Sequence, residues 1–516
     1  MPAPRLCLLL CLVFFSISLG AEISCDWLGH FGGSGVDEAT ASCFDNDGNF
    51  YVAGNFKSDF TLGSTTLTAG IHTPIFIAKF NPSGQVSWAI QSVVTGANSR
   101  TASVAGICTD AQSNIYLTGT FSPAIKLSTV SQTSSGNTDI YIAKLNSSGT
   151  CQWLNKFGGA SNDVSTGICM GSDNCPVVCG YFEGSITLMD NPITSLGLTD
   201  VLAVKVDSGG VLLNYARFGG AGQDHGNAIC SLALGGYAVC GYYKDSIAIG
   251  STTLAETGQE AFICKLDNSL SPLWAVSSSG AGLNDATSIC ADGSSIIVAG
   301  SYPAAINFPC FNLSSDNYAL YAAKLDYAGN FIWLSSLGAS INGGSSITSS
   351  YLDTASILHL AGHINTNYTI PDQTIPGQSL STTSNFDAIL LTLSDSGVIS
   401  SAVAYGGDGN DYAKTICGAS NGTMLLAGSF SATATIAGNS YNSAGARDVF
   451  ALLFHNLNSA IPAAPQNVSL ARVGTNLQLS WSPVVLSQTG QTMGISGYKI
   501  YSSESPDGED MQLCAS

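Results

Sequence analysis

Aspartate residues recur at one place in a repeated phrase of this chain, a few residues after a glycine pair. Asp37, Asp163, Asp224, Asp285 and Asp411 take this place, and Arg100 and Gly343 take it in two further copies. A ring of carboxylates at one mouth of a channel could hold a cation or a polar ligand. An Asp side chain can also accept backbone N–H bonds where a chain turns into a strand. We favour the turn, because a repeat keeps its folding residues in every copy, and retain the five carboxylates as candidate metal ligands.

Two further patterns resemble metal sites. His359 and His363 are four residues apart, so on a strand they share a face, but the glutamate of the metalloprotease motif is absent. Asp45 begins a phrase similar to the start of a calcium loop, yet no bidentate Glu follows at the twelfth position. A hairpin turn is the favoured interpretation for Asp45, and no cofactor is predicted.

The cysteines follow the repeat. Cys43, Cys108, Cys169, Cys230, Cys290 and Cys417 occupy one repeated position; Cys179 and Cys240 share a second with Ala53, Thr118, Ala299, Ala361 and Ala427. A position that alternates Cys with Ala or Thr is typical of a small buried side chain. We therefore predict that Cys43, Cys108, Cys230, Cys290 and Cys417 are buried and unpaired on inner strands. The alternative is a disulfide within one repeat, joining Cys169 to Cys179 and Cys230 to Cys240.

Residues that could support catalysis are scattered. The histidines fall in different copies and positions of the repeat: His30, His72, His225, His359, His363 and His455. No G-x-S-x-G elbow has a matching histidine. Because acid–base and nucleophilic catalysis need their groups at one place, the sequence predicts no catalytic residue and no enzyme. A secreted hydrolase or lyase that uses a central channel remains the alternative.

The bulk composition excludes two classes of protein. Only 10% of the 516 residues are charged and 45% are hydrophobic, which argues against disorder. The formal net charge is −19, whereas a nucleic-acid binder needs a basic surface for phosphate groups. A folded protein that does not bind nucleic acid is expected.

A long repeat must position these residues. A glycine in a short apolar run marks each of seven copies: Gly54, Gly119, Gly180, Gly241, Gly300, Gly362 and Gly428. Each copy contains four short runs rich in β-branched and aromatic residues, bounded by Gly, Asn, Asp and Ser, which predict four strands. About twenty residues join the second run to the third, and we expect a hairpin or long loop there. Repeats of this kind bury their core by stacking on one another.

The two ends of the repeat complement each other. Residues 27–31 form an unpaired fourth strand at the beginning, and the last copy ends with a third strand at residues 448–453. If the first strand completes the last copy, the ring closes and has no free sheet edge. The predicted fold is an all-β, seven-bladed β-propeller whose N-terminal strand closes the last blade.

The residues of the repeat resemble a known family. The pattern W-x4-GG-x3-D begins at Trp27, and the phrase from Gly48 to Phe56 reads G-N-x-Y-V-x-G-x-F. Together with D-x-Y-I-A-K-L, they resemble the bacterial seven-bladed β-propeller repeat proteins, the SBBP family, over residues 25–457. The resemblance implies a secreted or surface propeller, and the family offers no shared catalytic motif to transfer.

The segment after the repeat has a different pattern. Residues 459–465 are a Pro/Ala linker, and residues 466–516 alternate in period two around Trp481. This last segment resembles strands A to C of a fibronectin type III domain, which needs roughly 100 residues when complete. We therefore expect an incomplete domain of a longer, truncated protein.

The N-terminus predicts export. Residues 1–21 combine Arg5, a short apolar run and small residues before a cleavage point, as secretory signals do. Residues 22–458 would then be a secreted or cell-surface propeller, monomeric and without a transmembrane segment. The predicted function is non-enzymatic binding or scaffolding through the blade loops, with an unidentified protein or glycan as ligand. A spacer role in a longer surface protein is the other alternative.

Overall fold

Alternating β-branched, aromatic and small residues form strands throughout the described part of the chain. The computed structural model describes residues 24–94, 101–341, 343–370, 386–455, 466–473, 476–482, 500–502 and 512–515. Every helix or strand in these residues is a β-strand. No helix in them has the length and apolar character to cross a membrane. The chain is therefore all-β, as predicted.

The described repeats contain seven sets of four antiparallel strands, and the numbers of sheets 1 to 7 refer to these sets in chain order. Hairpin pairings join sheets 2 and 3 into one larger sheet and add strands to sheets 5 and 6. Sheet 1 contains β2 (Glu38–Phe44), β3 (Phe50–Asn55), β6 (Ile75–Phe80) and β7 (Val86–Gln91). Sheet 2 contains β10 (Gly106–Thr109), β11 (Ile115–Ser122), β14 (Asp139–Leu145) and β15 (Cys151–Gly159). Sheet 3 contains β16 (Asp163–Met170), β17 (Pro176–Leu188), β18 (Asn191–Val206) and β19 (Leu212–Phe218). Sheet 4 contains β20 (His225–Ser231), β21 (Tyr237–Ile249), β22 (Thr252–Leu266) and β23 (Pro272–Ser277).

The remaining three sheets follow the same order, except that the last takes its outer strand from the N-terminal end of the described chain. Sheet 5 contains β24 (Asp285–Ala291), β25 (Ser295–Tyr302), β28 (Tyr318–Asp326) and β29 (Phe331–Ser340). Sheet 6 contains β30 (Ser346–Leu352), β31 (Leu358–Asn365), β33 (Phe386–Leu393) and β34 (Ile399–Gly407). Sheet 7 contains β35 (Tyr412–Gly418), β36 (Thr423–Phe430), β39 (Asp448–His455) and β1 (Ser24–Phe31). The predicted pairing of the first strand with the last repeat is confirmed, since β1 lies beside β39.

The first strands of the seven sheets lie next to one another in cyclic order. β2 contacts β10, and the series continues through β16, β20, β24, β30 and β35, which contacts β2 again. The apolar core lies between neighbouring sheets. One cluster joins Phe50 and Phe76 of sheet 1 to Val449 of sheet 7, and other clusters join successive pairs of sheets in the same way. Each sheet therefore buries its faces against its neighbours.

The segments that connect the second strand to the third form hairpins, as predicted, in six sheets. In sheets 3 and 4 the hairpin continues the long strands β17 to β18 and β21 to β22. In sheets 1, 2, 5 and 7 it consists of separate short strands: β4 (Phe60–Leu62) with β5 (Thr65–Leu67), β12 (Ala124–Leu127) with β13 (Val130–Thr133), β26 (Ala305–Phe308) with β27 (Phe311–Ser314), and β37 (Thr433–Ile436) with β38 (Asn439–Asn442). In sheet 6 the described part of the excursion contains β32 (Tyr368–Thr369).

Several hairpins also pair with the preceding sheet. β17 pairs with the end of β15, β37 with the end of β34, and β32 with the end of β29. Between sheets 1 and 2 the pairing is made by β8 (Val93–Val94) with β12, and β9 (Thr101–Ala102) pairs with β11. The hairpins therefore add backbone hydrogen bonds between sheets as well as projecting from them.

Tryptophans join the outer strand of one sheet to the next sheet. The indole N–H of Trp153 in β15 donates to Ser208 O at 3.1 Å, in the hairpin turn between β18 and β19. Trp88, Trp274 and Trp333 make the same bond to the following sheet. Trp27 of sheet 7 lies against Gly84 of sheet 1 in the same way. Neighbouring sheets are thus tied at their outer edge, and the tie between sheets 7 and 1 follows this pattern.

Cys25–His455 form one compact unit, and the strands after residue 455 belong to another. In that unit β40 (Gln466–Val473) pairs antiparallel with β41 (Asn476–Ser482), and β42 (Ile500–Ser502) with β43 (Gln512–Ala515). The predicted signal segment 1–21 and linker 459–465 lie outside the described residues. The side chain of Trp481 does so as well. The fibronectin-like domain therefore stays a prediction.

The tryptophan contact predicts a cost for a methyl group on its glycine. Gly210 has φ = +85°, and a Cβ there would come within 2.9 Å of the Trp153 ring. Gly422 has φ = +86° with nothing within 4 Å of such a Cβ. Both Gly→Ala variants suffer the left-handed backbone cost, but Gly210→Ala must also displace the indole. We expect Gly210→Ala to lose about 1 kcal/mol more free energy of unfolding than Gly422→Ala, measured by denaturant unfolding. Equal losses would contradict the role given to this contact.

Candidate functional site

The seven first strands surround one cavity. Its volume is about 200 Å³, and residues from β2, β10, β16, β20, β24, β30 and β35 line it. Three consecutive residues of each strand contribute, and hydroxyl groups of Thr and Ser recur among them. Since a water molecule occupies about 30 Å³ of liquid, this space suits a few waters or one small polar molecule.

A bulge in the first strand turns one side chain toward the neighbouring sheet. The register shifts at Thr166 in β16 and at Thr287 in β24, where two residues oppose one on the partner strand. Thr166 Oγ1 donates to Gly226 O of the next sheet at 2.7 Å, and Thr287 Oγ1 donates to Ile347 O at 2.6 Å. The equivalent side chains of the other sheets that make such a bond are Thr40, Asn227 and Thr348. These polar side chains around the cavity therefore join neighbouring sheets through hydrogen bonds.

Lys414 departs from this pattern. It stands at the bulge of β35, where other sheets have Thr, Asn or Ala, and it is the one charged residue among those lining the cavity. Its Nζ lies 4.8 Å from the centre of the Tyr412 ring, and the Arg447 guanidinium lies 4.8 Å from the same centre. Arg447 pairs with Glu38. Burial lowers the pKa of Lys414; the Glu38 charge opposes this shift, and the Arg447 charge adds to it.

Four of the predicted aspartates are structural groups at the start of the first strands. Asp163 is fully buried; its Oδ2 accepts from Gly159 N at 2.7 Å, and its Oδ1 accepts from Glu183 N at 3.3 Å. Asp37, Asp224 and Asp411 accept the equivalent pairs of backbone N–H bonds. Each carboxylate thus joins the connection entering its sheet to the hairpin of that sheet. None of the four is among the residues lining the cavity.

The fifth aspartate was aligned incorrectly by one residue. The position equivalent to Asp163 in sheet 5 belongs to Asn284, whose backbone N–H bonds Gln259 O just as Asp163 N bonds Thr138 O. Asp285 is the next residue, and its Oδ1 accepts from Asn227 Nδ2 of sheet 4 at 2.7 Å. Burial raises its pKa to about 7. In copies two and six the equivalent residues are Ala102 and Ser345, instead of Arg100 and Gly343.

The structural aspartates face a second set of acids at the start of the third strands. Asp139 lies beside Asp163, and Asp200 lies beside Asp224. Burial and the neighbouring charge raise the pKa of Asp163 and of Asp224 to about 7 each. At the start of sheet 5 an amide replaces one of the two acids: Asn284 Nδ2 donates a hydrogen bond to Glu260 Oε2 at 2.8 Å.

The metal patterns have other partners in the structure. His359 contacts Asp353 at 3.3 Å and Thr392 at 3.4 Å, whereas the His363 ring packs against Phe386 and Tyr412. Asp45 Oδ1 accepts backbone bonds from residues 47 and 49, which is the predicted hairpin turn. Among the described residues, no group of three or more His, Cys, Asp or Glu could hold a metal ion.

The cysteine predictions are confirmed in part. All five named cysteines lie on first strands as free thiols, but only Cys43 and Cys290 are buried, and Cys108, Cys230 and Cys417 are half-buried. The second position is fully buried in every copy, from Ala53 to Ala427. The disulfide alternative is wrong in register, because Cys169 pairs with Val177 and Cys230 pairs with Ala238. Burial raises the pKa of Cys179 to about 12, so the thiol stays neutral.

The sequence analysis missed the bulged side chains and Lys414. The signal was present, since Thr40 and Thr166 follow the aspartates Asp37 and Asp163 by three residues and Lys414 follows Asp411 by three. A bulge moves the side-chain alternation by one residue, so alternation alone did not place these residues beside the cavity.

The acid pairs predict an unusual pH dependence. A carboxyl with a pKa of 3.8 when unfolded and about 7 when folded binds more protons in the native state between these values. The free energy of unfolding should therefore fall as the pH rises from about 4 to about 7. Asp163→Asn removes this titrating group, so it should weaken the dependence, and it should also lower the stability at both pH values because it loses one acceptor for a backbone N–H bond. Denaturant unfolding at pH 5 and pH 8 measures both effects, with the exposed Asp316→Asn as control. An unchanged pH slope in Asp163→Asn would contradict the assignment.

The thiol environments predict selective alkylation. Iodoacetamide at pH 8 should label the exposed Cys310 in the native protein, whereas the fully buried Cys179, Cys240 and Cys264 should react after denaturation. Mass spectrometry without reductant reads the labels. A Cys169–Cys179 linkage that resists alkylation in denaturant would refute the register described above.

Comparison with known proteins gives limited relationships. No family model matches the chain. The chain is 27% identical to the uncharacterized WD repeat-containing protein L264 of Acanthamoeba polyphaga mimivirus over an alignment of 159 positions, which covers 26% of this chain and 11% of the other protein. The crystal structure of a member of the DUF4221 family from Bacteroides vulgatus is similar over 84% of this chain and 97% of that one, with 12% identity and a TM-score of 0.28. The chain has a repeat-type, β-rich fold, and these relatives leave its activity undefined.

Proposed function

We propose that the seven sheets form a closed seven-bladed β-propeller that acts as a binding scaffold outside the cell. The cyclic contacts of the first strands and the pairing of β1 with β39 support the closed ring. The signal-like residues 1–21 and the resemblance to the SBBP repeats support export. The ligand class is a protein or a glycan that contacts the loops of the blades.

One observation carries this proposal: most polar side chains around the cavity are engaged in holding the sheets together. The bulged hydroxyls bond the neighbouring sheet. Outside the cavity, the structural aspartates bond backbone N–H groups. Burial raises the pKa of the Cys179 and Cys290 thiols to about 12, so these two stay neutral. A hydrolase would need a nucleophile, a base and an oriented partner at one place. The described residues that line the cavity include no histidine and no carboxylate, so the cavity lacks the last two.

Recognition is assigned to the end of the sheets that bears the hairpins. Second-to-third and fourth-to-first connections leave from the same end of an antiparallel four-stranded sheet. Exposed apolar side chains lie on these connections, including Leu196 and Leu198 on the hairpin of sheet 3, Leu283 before β24 and Ile341 after β29, which are 57% to 69% exposed. Loops on a rigid scaffold commonly carry recognition, and apolar groups exposed there favour a binding surface.

The proposal predicts a loss of binding without a loss of fold. A protein and glycan array probed with the exported chain should give a ligand whose signal falls at least tenfold in the Leu196→Ser/Leu198→Ser variant. Leu213→Ser is the matched control, because Leu213 is 51% exposed on the outer strand β19 of the same sheet, away from the hairpin. Unfolding midpoints should match wild type in both variants. Equal loss in the control, or catalytic turnover of an array ligand, would overturn the proposal.

A further inference from the structure

The bulge position of sheet 7 breaks a rule that its equivalents obey. Five of the other sheets place a side chain there that donates to a carbonyl of the next sheet, and Ala105 fills the position in sheet 2. A threonine at 414 would reach the neighbouring strand β2 by the same geometry. Lys414 instead places an ammonium group at the cavity wall, so the position gives up a hydrogen bond between sheets for a charge.

The charge on Lys414 is incompletely balanced by the protein. Arg447, which faces the same Tyr412 ring, is paired with Glu38. Among the described residues, no carboxylate lies within ion-pair distance of Lys414. The Lys414 ammonium group instead makes a cation–π contact with the face of the Tyr412 ring. The His363 ring also packs on Tyr412, 4.9 Å between centres. Lys414 and Arg447 therefore share the field of Glu38. The charge of Arg447 also acts on Asp411, so Lys414 has no carboxylate in direct contact for itself alone.

The cavity beside Lys414 suits an anion with oxygen atoms. Thr348 and Thr415 line it next to the lysine, and Ser42 completes this side from sheet 1. A partly desolvated ammonium group makes stronger charge-assisted hydrogen bonds than one in bulk water. The Thr348 proton is engaged with Ala413 O. The Ser42 and Thr415 hydroxyls, in contrast, bond each other and leave one of their two protons to donate to an oxyanion. The volume of about 200 Å³ admits a small carboxylate or phosphate.

We propose that this end of the cavity binds a small oxyanion, a carboxylate or a phosphate group, with Lys414 as its charged partner. Tyr412 and Arg447 position the lysine, and the pair of Arg447 with Glu38 fixes that arrangement between sheets 7 and 1. The site is distinct from the hairpin surface proposed above. If the protein and glycan array gives no ligand, the proposal of an anion site is therefore unaffected.

Calorimetric titration of the whole exported chain tests the proposal. The probes are glucuronate, acetate and inorganic phosphate, with glucose as the neutral counterpart of glucuronate. We expect at least one anion to bind with a Kd of about 1 mM or tighter and glucose to show no binding. The comparison of glucuronate and acetate with phosphate identifies the preferred oxyanion. Absence of binding by all three anions would overturn the proposal.

Three variants separate a binding role from a structural one. Lys414→Met removes the charge, and Lys414→Thr restores the residue that other sheets use; both should weaken anion binding at least tenfold. Lys414→Thr should also raise the unfolding midpoint, because it regains the bond between sheets. Lys244→Met removes an exposed lysine on a hairpin and should bind as wild type does. Retained affinity in both Lys414 variants, or an equal loss in Lys244→Met, would show that the lysine is not the binding group.

Discussion

A four-stranded sheet has two faces, and this constraint governs the structure. A single repeat cannot bury both faces, so each sheet needs a neighbour on either side, and a cyclic order of contacts meets that need for every copy. The apolar clusters lie between sheets. The polar residues follow the same requirement. Bulged threonines bond the first strand of the next sheet, and aspartates bond the segment that enters their own sheet. Tryptophans bond the turn between the third and fourth strands of the next sheet.

The glycine pair ahead of each aspartate has a specific reason. A Cβ on Gly158 would come within 2.3 Å of the Asp139 carboxyl group, and one on Gly159 would come within 1.9 Å of Ser185 O. The chain passes between a carboxyl group and a backbone carbonyl where no side chain fits. Burial, with the charge of Asp139 beside it, raises the pKa of Asp163, so the tight packing of the glycines and the titration of Asp163 have one cause.

The period of the repeat was enough to predict the four strands of each copy and the pairing of β1 with β39, because glycine spacing and strand alternation repeat seven times. The alignment of Asp285 was wrong by one residue, since a repeat with Asn284 at the aspartate position offers its next residue as a false match. Pairing of hairpins with the preceding sheet could not be predicted, because it depends on the angle between sheets. Lys414 was missed because a bulge hides which residues face the cavity.

The N-terminal strand lies in the same sheet as the last strand of the repeat, and this arrangement determines when the fold can be completed. His455 and Asp26, which are in contact, are separated by 429 residues in sequence. Forming such a contact closes the longest loop in the chain, and its entropic cost must be met before the edge of β39 is covered. Sheets 1 to 6 draw on neighbouring segments and can form as the chain is made, whereas sheet 7 must wait for both ends. Since Lys414 lies in sheet 7 and Glu38 in sheet 1, the charged group at the cavity forms only when these two sheets come together.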